Sequence, residues 1–161
     1  MRLTRIHAGP VLDFFTPDFT TLLELPLAGS PVSAGFPSPA EDYLENKLDL
    51  NEHLIHHPSA TFMVRATGDS MTGVGIFSGD ILIVDRSIQA KHGSIIIAVI
   101  NAELTVKRLY RRKGVIRLEA ANPAYPSLNV SDDMELWCWG VVTAAIHQYG
   151  GAALSRPFND S

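Results

Sequence analysis

Cysteine is almost missing from this chain. Cys138 stands alone, which excludes an intramolecular disulfide and leaves no thiolate cluster for zinc. Placed between Trp137 and Trp139, it reads as a packing residue. Charge is scarce as well: 19% of the 161 residues are charged, too few for a chain held open by self-repulsion. Long apolar runs are absent. The longest, Ile95 to Ile100, falls far short of the roughly 20 residues needed to cross a bilayer, and no basic-then-apolar leader opens the sequence. The expectation is a cytoplasmic protein with no membrane contact. A net charge of −4 argues against DNA binding through a broad phosphate-attracting surface. Six of the 13 basic residues, Lys107, Arg108, Arg111, Arg112, Lys113 and Arg117, crowd one short stretch. Such a run is ordinarily a solvent-facing hairpin turn; its functional alternative is contact with an acidic partner or a nucleic-acid backbone, with Arg108 to Lys113 as the candidate segment.

Apolar residues, by contrast, make up 46% of the chain, enough for one good core but not for two. Residues 1–37 carry Pro10, Pro17, Pro26, Pro31 and Pro37 without a sustained helical period and read as an extended, mobile N-terminal arm. Ser38-Pro39-Ala40-Glu41 has the form of a capping box, and Tyr43, Leu44 and Leu48 follow at helical spacing, so a short helix is expected there. Asp49 with Glu52 predicts another turn or two of helix through Leu54 and Ile55, ended by Pro58. From Thr61 the pattern changes to short β-rich runs: Phe62 to Ala66, Ile81 to Val84, Ser94 to Ile100, Glu103 to Tyr110, Val115 to Glu119 and Leu136 to Ala145. Turn residues separate them, among them Gly73, Gly75, Gly79-Asp80, Gly93 and Asn101-Ala102. Short strands without long intervening helices predict a mostly β, curled antiparallel domain over residues 38–149. Residues 150–161 read as a disordered tail.

Two residues could carry chemistry. Ser70 lies in Gly68-Asp69-Ser70-Met71, directly after a predicted strand, where a glycine lets the chain bend and present the hydroxyl. The backbone amides of Asp69 and Ser70 are candidates for an oxyanion hole. Lys107 follows on another predicted strand, in Leu104-Thr105-Val106-Lys107. A serine can be activated by a neutral lysine. An ordinary lysine, near pKa 10.4, must then have its charged form disfavoured by roughly 3 to 5 kcal/mol to act near neutral pH, and burial is the usual cause. Leu104 and Val106 define one strand face while Thr105, Lys107 and Leu109 share the other, a mixed face that permits a buried lysine. Upstream, Val32-Ser33-Ala34-Gly35 sets small residues around a bond that could enter such a site. Either His92 or His147 could instead build a Ser-His-Asp arrangement. His53, His56 and His57 have spacing compatible with a metal, but no carboxylate or cysteine completes the set and Pro58 interrupts; they read as solvated or capping residues. Asp80 and Asp85 flank an apolar run as strand-end turn residues.

Taken together, Gly35-Phe36-Pro37-Ser38-Pro39-Ala40, Pro58-Ser59-Ala60-Thr61, Gly68-Asp69-Ser70-Met71, Gly79-Asp80-Ile81-Leu82-Ile83-Val84-Asp85 and Thr105-Val106-Lys107 resemble, in order, the self-cleaving Ser-Lys peptidases of the LexA and UmuD family. The likeness runs from about Gly35 to Tyr149. It implies Ser70 as nucleophile, Lys107 as general base and Ala34-Gly35 as the cleaved bond, with no cofactor and no metal. It further implies a homodimer that cuts itself when docked on a RecA filament on single-stranded DNA. The trimmed form would then join a UmuC-like translesion polymerase in the SOS response to DNA damage, without sequence-specific DNA binding of its own. Members of the UmuD kind carry Cys-Gly at the cut; the Ala34-Gly35 found here is the dipeptide of LexA-type repressors.

Three rival readings follow from the same residues. A LexA-like repressor needs a helix-turn-helix unit of several dozen residues ahead of the cut, whereas the 34 residues before Gly35 are rich in proline. A non-cleaving polymerase-binding module would not need the intact Ser70 and Lys107. A signal peptidase shares the Ser-Lys chemistry but requires a membrane anchor.

Overall fold

The computed structural model describes residues 2–8, 12–18, 22–28, 34–35 and 44–149. Eleven strands account for most of them: β1 (Arg2–Ala8), β2 (Leu12–Asp18), β3 (Glu24–Ala28), β4 (Leu44–Asp49), β5 (Thr61–Ala66), β6 (Ile81–Asp85), β7 (Ile95–Ile100), β8 (Glu103–Arg112), β9 (Val115–Glu119), β10 (Leu128–Asn129) and β11 (Leu136–Ile146), with one short helix, α1 (Leu50–Leu54). Nine strands form a single sheet in the order β1-β2-β5-β6-β11-β7-β8-β9-β10, and β3 pairs with β4 apart from it. Every neighbouring pair is antiparallel. The mostly β, antiparallel fold expected from the sequence is the one found.

The curl has a local cause. β11 pairs with β7 through residues 136–141 and with β6 through residues 141–146, and each ladder has an irregularity, at Cys138/Gly140 and at Val142/Ala144. Bulges bend a strand and increase its twist, so one long strand serves two neighbours in succession. The hairpins β7–β8 and β8–β9 are closed by the pairs Asn101-Ala102 and Lys113-Gly114, all four residues at positive φ. Two-residue turns of this hand match the twist of the strands they join.

Alternation along β5 and β6 divides the core. Val64, Leu82 and Val84 join Met71, Ile97 and Val106 in one cluster, while Met63 and Ile83 join Ile55 in another. Ile96, Ala98, Leu109, Leu118 and Val141 form a third. Leu82, Ile83 and Val84 are completely buried, and at about 1.5–3 kcal/mol for each such side chain, β6 contributes more to the fold per residue than an edge strand can.

The N-terminal third departs from expectation. Residues read as an extended, mobile arm are extended, but β2 pairs with β5 from Leu12↔Ala66 to Phe15↔Met63, and β1 pairs with β2. Leu44 and Leu48, read as part of a helix, lie in β4 opposite Ala28 and Leu25. A short helix is weakly stable by itself, and the cross-strand ladder to β3 overrides the helical spacing. Pro26 is accommodated because β3 is an edge strand. The expected second helix is present: Asp49 caps α1, its Oδ1 accepting from Asn51 N at 2.7 Å, and Ile55 closes it. The Ser38–Glu41 box and the 150–161 tail lie outside the described residues.

Candidate active site

The chain turns sharply after β5. Gly68 has φ +87°, a region that costs a side chain but not a glycine, and the next turn presents Ser70. Met71 is 3% exposed and packs into the cluster holding Val64, Leu82 and Val106, so the residue after the serine is anchored in the core while the serine faces out. A second contact holds the turn from the side. Gly73 N donates to Ala121 O at 2.6 Å, and Ala121 N donates to Ser70 O at 2.8 Å. A Cβ on Gly73 would lie 2.3 Å from Ala121 O, so only glycine permits this approach.

β8 delivers Lys107 to the same place. Lys107 Nζ donates to Ser70 Oγ at 3.2 Å, to Thr105 Oγ1 at 3.0 Å and to the Val106 carbonyl at 3.0 Å. These use the three N–H groups of an ammonium. Among the described residues no carboxylate pairs with Lys107, and partial burial holds its pKa below the ordinary 10.5. When the amine is neutral, two N–H groups can remain on Thr105 and Val106 while the lone pair faces Ser70 Oγ. That arrangement can take the serine's proton. Beside Ser70 lies a cavity of about 30 Å³ lined by Ala66, Gly68, Met71, Ile76, Thr105 and Val106. Among the described residues the amides of Asp69 and Ser70 donate to no protein acceptor.

The remaining sequence candidates fall elsewhere. Ala34 and Gly35 form an exposed bend and do not line the cavity. His147 Nδ1 is bound to Asp80 Oδ1, and His92 Nδ1 accepts from Arg111 N at 3.2 Å, so neither histidine serves Ser70. His57 Nδ1 lies 2.6 Å from Asp85 Oδ2, and no three potential ligands gather around a metal position among the described residues. Asp80 and Asp85 do cap turns, accepting from Phe77 N and Ser87 N at 2.8 Å each, but each also holds a histidine, which the sequence reading missed. In the basic stretch, Arg111, Arg112 and Lys113 are exposed around the β8–β9 turn, as a hairpin reading expects. Arg117 is engaged locally, 2.9 Å from Glu119 Oε1 and 4.0 Å over the Tyr110 ring. Cys138 is half-buried against the third core cluster, and burial raises its thiol pKa, in keeping with packing. Asn122 and Tyr125 carry no functional signal in the sequence beyond the turn pair Asn122-Pro123, and Thr105 enters there only as a strand neighbour of Lys107.

Among the described residues no helix is long and apolar enough to cross a membrane. Residues 26–143 match the family described as peptidase S24-like. The chain is 50% identical over 123 residues to Protein SamA of Salmonella typhimurium, covering 76% of this chain and 85% of that one. It is 44% identical over 119 residues to Protein MucA of Escherichia coli, covering 73% and 81%. Against the LexA repressor of Acetivibrio thermocellus it is 38% identical over 115 residues, 71% of this chain but 53% of the repressor. A curled antiparallel sheet that brings a turn serine to a half-buried lysine, and a family match spanning most of the length, lead to one conclusion: the chain belongs to the peptidase S24-like family, among its UmuD-like members.

Proposed function

We propose that this protein is an SOS-response peptidase that cuts its own chain between Ala34 and Gly35, using Ser70 as nucleophile and Lys107 as general base. The observation that carries the reading is the 3.2 Å contact from Lys107 Nζ to Ser70 Oγ, made by a lysine whose acceptors among the described residues are all neutral. Neutral Lys107 takes the Ser70 proton as Oγ attacks the Ala34 carbonyl carbon. The resulting oxyanion is met by the amides of Asp69 and Ser70. The Lys107 ammonium then protonates the departing Gly35 nitrogen as the C–N bond breaks, leaving an Ala34 ester on Ser70 that water hydrolyses with the same lysine as base. The cavity at Ser70 has room for a group of water or methyl size, which suits the alanine side chain.

Ala34 and Gly35 occupy an exposed bend outside that cavity, so the segment must move to react. A RecA filament on single-stranded DNA would act by binding the cleavable pose better than the other. The kinship with UmuD-like proteins supports a homodimeric, cytoplasmic protein whose trimmed form serves a UmuC-like translesion polymerase. The repressor alternative is the less supported, since identity to the LexA repressor is 38% against 50% to Protein SamA. Intact-mass measurement of the full chain with RecA, single-stranded DNA and nucleotide tests the reading. A fragment starting at Gly35 should form with the wild type and with neither Ser70→Ala nor Lys107→Ala. A wild type that stays whole there and at alkaline pH would leave a binding module as the better description.

A further inference from the structure

Between β9 and β10 runs a short loop, Ala121 to Tyr125, that does not line the cavity beside Ser70 yet makes repeated contacts with the serine turn. Ala121 exchanges two backbone hydrogen bonds with it, to Ser70 and from Gly73. Asn122 Nδ2 donates to the Asp69 carbonyl at 2.9 Å, and the Tyr125 hydroxyl donates to Asp69 Oδ1. The loop is itself braced: Asn122 Oδ1 accepts from Ala124 N and Asn122 O accepts from Tyr125 N, both at 3.0 Å. Asn122 therefore uses one end of its amide to fold its own turn and the other to grip the residue before the serine. Core packing reaches Ala121, which lies against the cluster containing Met71 and Val106, but does not account for the contacts to Asp69, because Asp69 and Tyr125 are both exposed.

The geometry points to the Asn122–Tyr125 loop as a latch that positions Ser70, with Asn122 and Tyr125 acting through Asp69 rather than on the scissile bond. The peptide unit that carries the Ser70 amide is constrained at its Asp69 end. Asn122 and Thr72 fix the Asp69 carbonyl, and Tyr125 fixes the Asp69 side chain. A turn held this way keeps Ser70 Oγ within reach of Lys107 and keeps the neighbouring amides aimed at one point. Displacing reacting groups by about 1 Å can cost about 100-fold in rate, so a latch of two polar contacts has leverage without touching substrate. Hydrogen bonding to the Asp69 carboxylate raises the Tyr125 pKa above its ordinary 10.0, as expected of a phenol that donates in this contact.

The inference rests on Ser70 being the nucleophile, and its test is built so that the two can fail separately. In the full chain, Asn122→Ala and Tyr125→Phe are compared with wild type by hydrogen exchange of the 69–73 amides and by self-cleavage rate across pH. Exchange should rise in both variants. The rate should fall about tenfold or more for Asn122→Ala and about threefold for Tyr125→Phe, with the midpoint of the rate's rise with pH unchanged because Lys107 is untouched. In an Asp69→Ala background, Tyr125→Phe should have no further effect. Unchanged exchange in the turn, or independent effects of Tyr125→Phe and Asp69→Ala, would overturn the latch. Tyr125→Phe removes one hydroxyl from an exposed ring, so the test survives if Asn122→Ala folds poorly. A wild type that never cleaves would instead sink the nucleophile assignment, and the exchange data would still decide whether the loop orders the turn.

Discussion

Asp80 and Asp85 at the two ends of β6, and Lys107 in β8, are all withdrawn from water, but their surroundings differ in kind. Each aspartate is 2–3% exposed and surrounded by donors. Asp85 accepts from Ser87 N, from Ser87 Oγ at 2.6 Å and meets His57 at 2.6 Å; Asp80 accepts from Phe77 N and meets His147. Burial alone would raise the Asp85 pKa, yet hydrogen bonds from Ser87 and His57 outweigh it and hold the carboxyl below its ordinary 3.8. Among the described residues Lys107 receives no opposite charge, only a hydroxyl, a carbonyl and the serine it would deprotonate. The Asp85 carboxyl is held in its charged form. The lysine is left able to change its protonation state, and that separates a structural charge from a catalytic one.

The largest effect expected from breaking this contrast is on the lysine. Lys107→Met should lower self-cleavage by at least about 1,000-fold while leaving the thermal midpoint at or above that of wild type, because a partly desolvated ammonium is replaced by an apolar chain. Lys107→Arg should be equally inactive, since a guanidinium does not deprotonate in this range. At the other pole, Asp85→Ala should cost about 2–4 kcal/mol in denaturant unfolding, through the orphaned Ser87 amide and the unpaired histidine, with little change in cleavage per folded molecule. Comparable losses from both substitutions in both assays would erase the distinction.

Titration sharpens it further. The cleavage rate should climb with pH as Lys107 loses its proton, with a midpoint below 10.5. Stability should respond at the opposite end of the scale. The folded pKa of Asp85 is depressed, so its contribution is present above the unfolded value and is lost as pH falls below 3.8 toward the folded one. Acid unfolding of Asp85→Asn should therefore be shallower than that of wild type. The smallest effect belongs to His57→Ala. His57 is 54% exposed on its side chain, and removing a solvent-screened partner should cost about 0.5–1 kcal/mol, well under the loss from removing the aspartate itself.

How far the sequence was legible depended on where each residue's partners lie. From Thr61 onward, six predicted strands sit within about two residues of those observed, and Val115–Glu119 coincides at both ends, because turn residues and β-branched runs act locally. The same is true of the Asp49 cap. Leu44 and Leu48 misled because their helical spacing was a local signal, overruled by pairing with Ala28 and Leu25 some 16 and 23 positions away.

Ser70 and Lys107 were legible as a pair only through the order of the motifs around them. By itself the sequence determined residue chemistry, turn positions and the alternation that sends Leu82 and Val84 to one side and Ile83 to the other. Only the tertiary structure brought Lys107 Nζ to Ser70 across 37 positions and Tyr125 to Asp69 across 56, and only it decided that Asp80 and Asp85 would each hold a histidine. Those contacts depend on strand register and on the bend of β11 between two neighbours. Such features emerge when many weak local preferences are satisfied together in one sheet, and no short stretch of sequence carries them.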